Sequence, residues 1–157
     1  MENNVRGIIL LVEDDVELGL DKYLEHKSFF VVSRQDSKSA VDEIENGLRY
    51  NLMIADRRLK DIEQFVVPPC TIIDSENLME TQVSRRGYSG DWVVETSMRV
   101  NPEVPIALIS GAWITFSDSS LSLDYRIKGN FKGILYDLGK PLSCQMIDDL
   151  IAKVFHK

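Results

Sequence analysis

The stretch Leu52-Met53-Ile54-Ala55-Asp56 constrains the fold of this chain more than any other. Four apolar residues in a row, bounded by polar ones, suit a strand buried on both faces. In open parallel sheets chemistry collects outside the carboxyl ends of the strands, and Asp56 stands at such an end. The same event occurs earlier, where Gly7-Ile8-Ile9-Leu10-Leu11-Val12 runs into Glu13-Asp14-Asp15. It recurs where Ile106-Ala107-Leu108-Ile109 meets Ser110-Gly111, and where Ile134-Leu135-Tyr136 is followed by Lys140-Pro141. Carboxylates, a hydroxyl and an ammonium at successive strand ends are the parts of a site that handles a phosphoryl group.

Between these runs the period changes from strand to helix. Val16, Leu20 and Leu24 recur every fourth position, which predicts a helix beginning near Asp15, with Asp15 as its cap. Phe29 to Val32 reads as a second strand, and Lys38 to Asn46 as a helix with Val41, Ile44 and Leu48 inward and Gly47 as its stop. Trp92, Val93, Thr96 and Val100 mark a helix that Asn101-Pro102 ends. Val104 to Ile109 and Gly133 to Asp137 are the fourth and fifth strands, with a short helix expected around Ser119 to Ile127 between them. Ser143 opens a last helix with an inward stripe of Met146, Ile147, Leu150, Ile151 and Val154. Leu59 to Arg86 keeps no clean period. Within it, Phe65 to Val67 and Thr71 to Ile73 read as short strands flanking Pro68-Pro69.

Alternation of this kind predicts an α/β domain: a doubly wound five-stranded parallel sheet with helices on both faces. The order 2-1-3-4-5 sets the ends of strands one and three side by side at the switch point. Glu13, Asp14 and Asp56 then converge, and three mutually repelling carboxylates favour a hard divalent cation. Composition excludes several other classes. At 157 residues and 44% hydrophobic, the chain reads as a single domain over residues 1–157. A net charge of −7 argues against a nucleic-acid-binding face. No apolar run approaches the roughly 20 residues of a membrane span. Two cysteines, Cys70 and Cys144, make neither a disulfide scaffold nor a metal motif, and with a polar N-terminus they suggest a cytoplasmic protein.

Taken together, Val12-Glu13-Asp14-Asp15, Asp56, Ile109-Ser110-Gly111 and Lys140-Pro141 resemble the receiver domain of two-component response regulators. The likeness covers about Gly7 to Arg58 and Gly87 to Lys157. It implies that Asp56 accepts a phosphoryl group from a histidine kinase or phosphotransfer protein, with Mg²⁺ or Mn²⁺ as cofactor. Asp14 and Asp56 would hold the metal directly, Glu13 largely through water, and the Arg58 carbonyl would complete the set. Ser110 and Lys140 would bind phosphoryl oxygens. Such a domain is not an enzyme in the usual sense, since it modifies and then clears its own aspartate. Output would be expected through a downstream protein or a homodimer, since the last helix ends at the C-terminus of this sequence, although a fragment cut from a longer protein would look the same.

Other readings stay open for the same residues. A pseudo-receiver would keep the fold and act as an interaction module without phosphorylation. A haloacid-dehalogenase-like phosphatase would need an acid two places after the nucleophile, where this chain has Arg58. Three features depart from the receiver pattern. Arg57 and Arg58 follow the acceptor directly. The aromatic residue common three places before the lysine is replaced by Asp137, with Tyr136 one step earlier and therefore on the other face unless a bulge intervenes. The interval from Asp56 to Ser110 exceeds what one helix and two loops need, which marks about 59–86 as an insertion starting at the mouth of the site. A long segment there, rich in Phe65, Val66, Val67, Ile72 and Ile73, is expected to pack on the domain or a partner and to influence phosphorylation.

Overall fold

The computed structural model describes residues 5–14, 19–56, 65–67, 71–72, 81–82, 85–87, 89–110, 132–139 and 141–155. Its centre is a five-stranded sheet in the order β2-β1-β3-β8-β9. The strands are β1 (Ile8–Val12), β2 (Phe30–Arg34), β3 (Leu52–Asp56), β8 (Ile106–Ser110) and β9 (Leu135–Gly139). Every pairing between them is parallel. Counting only these five strands in chain order, the arrangement is the expected 2-1-3-4-5. All five residues of β3 are buried, as a central strand covered on both faces requires.

Helices cover both faces, and alternation along the strands sorts the core into two clusters. Leu10, Val12, Met53, Ala55, Ile106 and Leu108 point to one side. There they meet Ala40, Val41 and Ile44 of α2 (Ser37–Glu45) and Val93, Val94 and Met98 of α3 (Ser89–Val100). Ile9, Leu11, Leu52, Ile54, Ala107 and Ile109 point to the other. Their partners are Leu20 and Leu24 of α1 (Leu20–His26) and Ile147, Leu150 and Ile151 of α4 (Cys144–Phe155). Burying one such Leu or Ile side chain contributes about 1.5–3 kcal/mol, so the two clusters dominate the stability of the sheet.

Local chemistry fixes the helix ends. The Asp36 carboxylate accepts from the Ser39 N–H at 2.9 Å and caps α2, while Gly47 at φ 91° follows its end. Ser143 Oγ accepts from the Met146 N–H at 3.2 Å and caps α4. The expected start of α1 is corrected. Gly19 sits in the left-handed region at φ 66°, so α1 begins at Leu20 and no side chain caps it. Asp15 is therefore not its cap; it lies outside the described residues, as does Val16.

Strand limits shift by one or two residues from expectation, most in β9, which runs to Gly139 rather than ending at Asp137. Between β3 and α3 lie four short strands: β4 (Phe65–Val67), β5 (Thr71–Ile72), β6 (Thr81–Gln82) and β7 (Arg85–Gly87). β4 and β5 match the two runs flanking the prolines. β6 and β7 were not legible as strands. β4 pairs antiparallel with β7, and β5 with β6, so the second pair nests inside the first. β4 also lies against α3. The short helix expected around 119–127 falls outside the described residues.

Candidate functional site

The site forms where β1 and β3 end together. Val12 is in register with Ala55, so the next residues, Glu13 and Asp56, stand level. The Glu13 N–H donates to the Arg34 carbonyl at 3.0 Å, which carries the β1–β2 ladder one step past the strand and fixes the Glu13 backbone. Glu13 is 4% exposed and Asp56 2%, whereas Asp14 is half-buried on the open side. Each of the three offers a carboxylate oxygen, and these oxygens lie within 4.8 Å of one another. Sequence order keeps Asp56 far from the other two. The parallel register of adjacent strands brings them together.

Two buried carboxylates beside a third are costly to keep charged unless cations or donors answer them. An all-oxygen donor set of this size suits a hard divalent ion of the Mg²⁺ or Mn²⁺ kind, with water completing the coordination. Glu13, Asp14 and Asp56 are the residues that would hold it. The proposed fourth ligand, the Arg58 carbonyl, lies outside the described residues, as does Arg57.

Ser110 is the last residue of β8. Asp56 is in register with Ile109, so Ser110 comes one step further along the neighbouring strand, at the same edge of the sheet. Opposite Ser110 stands Gly139, the last residue of β9, and Lys140 follows it outside the described residues. β9 thus ends at this edge, one position before Lys140 in the sequence. No bulge rescues the displaced aromatic: the β8–β9 register runs unbroken from Ile106↔Leu135 to Ser110↔Gly139. Tyr136 packs with Leu138 on the face covered by α1 and α4.

Of the remaining sequence candidates, those among the described residues do not join the site. His26 is exposed in the last turn of α1, and Cys144 is a free, exposed thiol at the start of α4. Trp92 packs against the α2–α3 core. Trp113, Cys70 and His156 lie outside the described residues. Among the described residues no helix is long and apolar enough to cross a membrane.

No protein-family model matches the sequence, and no curated protein matches it. Solved structures do match. A response regulator receiver protein from Sinorhizobium medicae is 17% identical with a TM-score of 0.59, covering 94% of this chain and 93% of that one. The receiver domain of the sensor histidine kinase PA1611 from Pseudomonas aeruginosa, with a magnesium ion coordinated in its active-site cleft, is 15% identical with a TM-score of 0.60. The match covers 96% of this chain and 98% of that one. An adenylate cyclase from Rhodopirellula baltica is 18% identical with a TM-score of 0.58, covering 94% of this chain and 86% of that one. The chain has the receiver-domain fold.

Proposed function

We propose that this protein is a phosphoacceptor domain in which Asp56 takes a phosphoryl group from a histidine kinase or phosphotransfer protein. One observation carries the reading: Glu13, Asp14 and Asp56 converge at the carboxyl edge of a β2-β1-β3-β8-β9 sheet. The magnesium in the cleft of the PA1611 receiver domain supports Mg²⁺ as the cofactor.

The chemistry follows from charge. A carboxylate attacks phosphorus poorly because nucleophile and phosphoryl group repel each other, so the reaction depends on positioning and neutralisation. An Asp56 oxygen forms the new O–P bond while the donor's P–N or P–O bond breaks. The leaving imidazole or carboxylate keeps the electron pair. When bound, the divalent ion supplies positive charge to the acceptor and the transferred group. Asp14 and Glu13 fix its place, Ser110 offers a hydroxyl donor and Lys140 an ammonium to phosphoryl oxygens. Phosphorylation would then bias the surface toward a downstream protein or a second copy of the chain.

Intact-mass measurement after incubation with acetyl phosphate and Mg²⁺ tests this. We expect a roughly 80 Da adduct that disappears in Asp56→Asn and persists at reduced yield in Ser110→Ala, whose hydroxyl assists without accepting. An adduct retained in Asp56→Asn overturns the assignment.

A second reading has its own observation. Tyr136 faces the α1–α4 side across an unbroken register, so the usual aromatic route from site to surface is displaced. A pseudo-receiver that binds its partner without phosphorylation accommodates this. It is favoured if the wild-type chain forms no adduct.

A further inference from the structure

The end of β2 borders the acidic cluster. Its last residue, Arg34, stands opposite Val12, and the Arg34 carbonyl accepts from the Glu13 N–H at 3.0 Å. β2 lies at an edge of the sheet, with β1 as its one strand neighbour among the described residues. A strand at a sheet edge has backbone bonds to the ladder on one side only, so its end opens more easily than that of an inner strand. The carbonyl that fixes the Glu13 backbone therefore sits on a strand end that the sheet by itself supports from one side.

The Arg34 side chain supplies further support. Its Nη1 donates to the Ser33 carbonyl at 2.7 Å, and its Nη2 donates to Glu43 Oε1 of α2 at 2.7 Å. One planar guanidinium thus grips two oxygens at once: the carbonyl of the peptide just before Arg34, and a carboxylate on the neighbouring helix. α2 is a firm anchor, since Ala40, Val41 and Ile44 are buried in the core and Asp36 caps its start. The clip is thus a side-chain tie between a buried helix and the backbone that holds Glu13. Both of its side chains are 35% exposed, and an ion pair that open to water adds little to global stability.

We propose that Arg34 and Glu43 are positioning residues for the metal site, clipping the end of β2 to α2 so that Glu13 meets a divalent ion in a fixed place. The role rests on the metal-holding part of the phosphoacceptor reading and adds to it two residues that touch neither the ion nor Asp56. Three carboxylates within 4.8 Å of one another hold a hard cation well only if their oxygens are already set at its coordination distance. A ligand whose backbone wanders pays to be ordered each time the ion binds, and fixing that backbone beforehand raises affinity. Groups outside the ligand set that orient a ligand tune metal affinity in this way.

Titrating the full chain with Mn²⁺ by water-proton relaxation, with Mg²⁺ as competitor, tests this without any turnover. Arg34→Ala and Glu43→Ala should each weaken Mn²⁺ binding about threefold to tenfold, toward the low end of the roughly 10–100-fold typical when a group that orients a ligand is removed. Glu43→Gln keeps an acceptor oxygen for the guanidinium and should retain most of the affinity. Arg34→Lys has one nitrogen, cannot span both oxygens and should not rescue it. Glu13→Gln binds the ion more weakly through its own lost charge, and adding Arg34→Ala to it should cause no further loss, because the clip acts through Glu13. Far-UV circular dichroism and the metal-free thermal midpoint check that the variants fold. Unchanged affinity in both alanine variants overturns the inference. Additive losses with Glu13→Gln overturn it too, and the clip is then a brace of the fold alone. A wild-type chain that binds neither ion also overturns it. If the wild-type chain binds the ion but forms no adduct with acetyl phosphate, phosphoryl acceptance fails by itself, and loss of affinity in the alanine variants still upholds the positioning role.

Discussion

Asp36 sets the start of α2 through one carboxyl group, which accepts from both the N–H and the hydroxyl of Ser39. These donors, the hydroxyl first, hold the Asp36 carboxyl below its ordinary value of 3.8. A depressed folded-state pKa means that the cap stabilises fully above the unfolded value. Its contribution fades as pH falls through the folded one. Asp36→Ala is expected to cost about 1 kcal/mol at pH 7, less below pH 4, read from urea unfolding across that range. Ser28 presents the opposite case. It follows α1 at φ 74°, a left-handed conformation that L side chains adopt at a cost. Ser28→Gly should therefore stabilise by up to about 1 kcal/mol, the gain tempered by the greater unfolded-chain freedom of glycine. A lower urea midpoint in this variant would show that strain is absent.

Between elements, polar side chains link α1 to α4 at the surface. The Tyr23 hydroxyl donates to Asp148 Oδ1 at 2.6 Å, and Lys27 Nζ lies 3.6 Å from the same carboxylate. The hydrogen bond to Asp148 pushes the Tyr23 phenol up from 10.0 to about 12. The protonated phenol is the bonded form, so the link is complete below pH 10 and is lost as pH rises through 12. Tyr23→Phe is expected to flatten the loss of stability in that alkaline window, followed by thermal unfolding at successive pH values. Beneath this link, α4 holds the sheet through Ile147, Leu150 and Ile151. Leu150→Ala should cost about 2–5 kcal/mol, since a cavity at a fully packed site adds to the lost transfer energy. A loss under 1 kcal/mol by urea titration would place α4 outside the cooperative core.

At the scale of the whole molecule, the described core on the two faces of the sheet is built from residues within 9–56 and 93–151. Replacing Lys60 to Arg85 with a short Gly/Ser linker should therefore leave the far-UV circular dichroism of the sheet and helices in place while altering phosphorylation or dephosphorylation. Equal rates in both proteins would make the segment passive. Metal binding should also register on the whole fold. A ligand that binds only the native state at a hundred times its Kd adds about 2.7 kcal/mol. Mg²⁺ is expected to raise the thermal midpoint of the wild-type chain and of Asp42→Ala, an exposed control. It should not raise that of Asp14→Ala, which lacks one of the three converging carboxylates.

What the sequence determined by itself is what short-range pattern encodes. Unbroken apolar runs at Ile8–Val12, Leu52–Ala55 and Ile106–Ile109 specify parallel strands, and helical stripes such as Ile147, Leu150 and Ile151 specify the layers above them. The strand-end positions of Glu13, Asp14 and Asp56 were legible for the same reason. Only tertiary structure decided the rest. Asp15 looked like a cap because acidic residues favour helix starts, but the left-handed Gly19 sets the true beginning of α1. Arg85 to Gly87 carries no strand-like period, and its pairing with Phe65–Val67 is a contact between distant segments. The face of Tyr136 likewise depended on whether β9 met β8 without a bulge. Periodicity reports a residue's own backbone. Register, bulges and the convergence of side chains on one edge depend on which segments become neighbours, and that is settled when the whole sheet closes its hydrogen bonds.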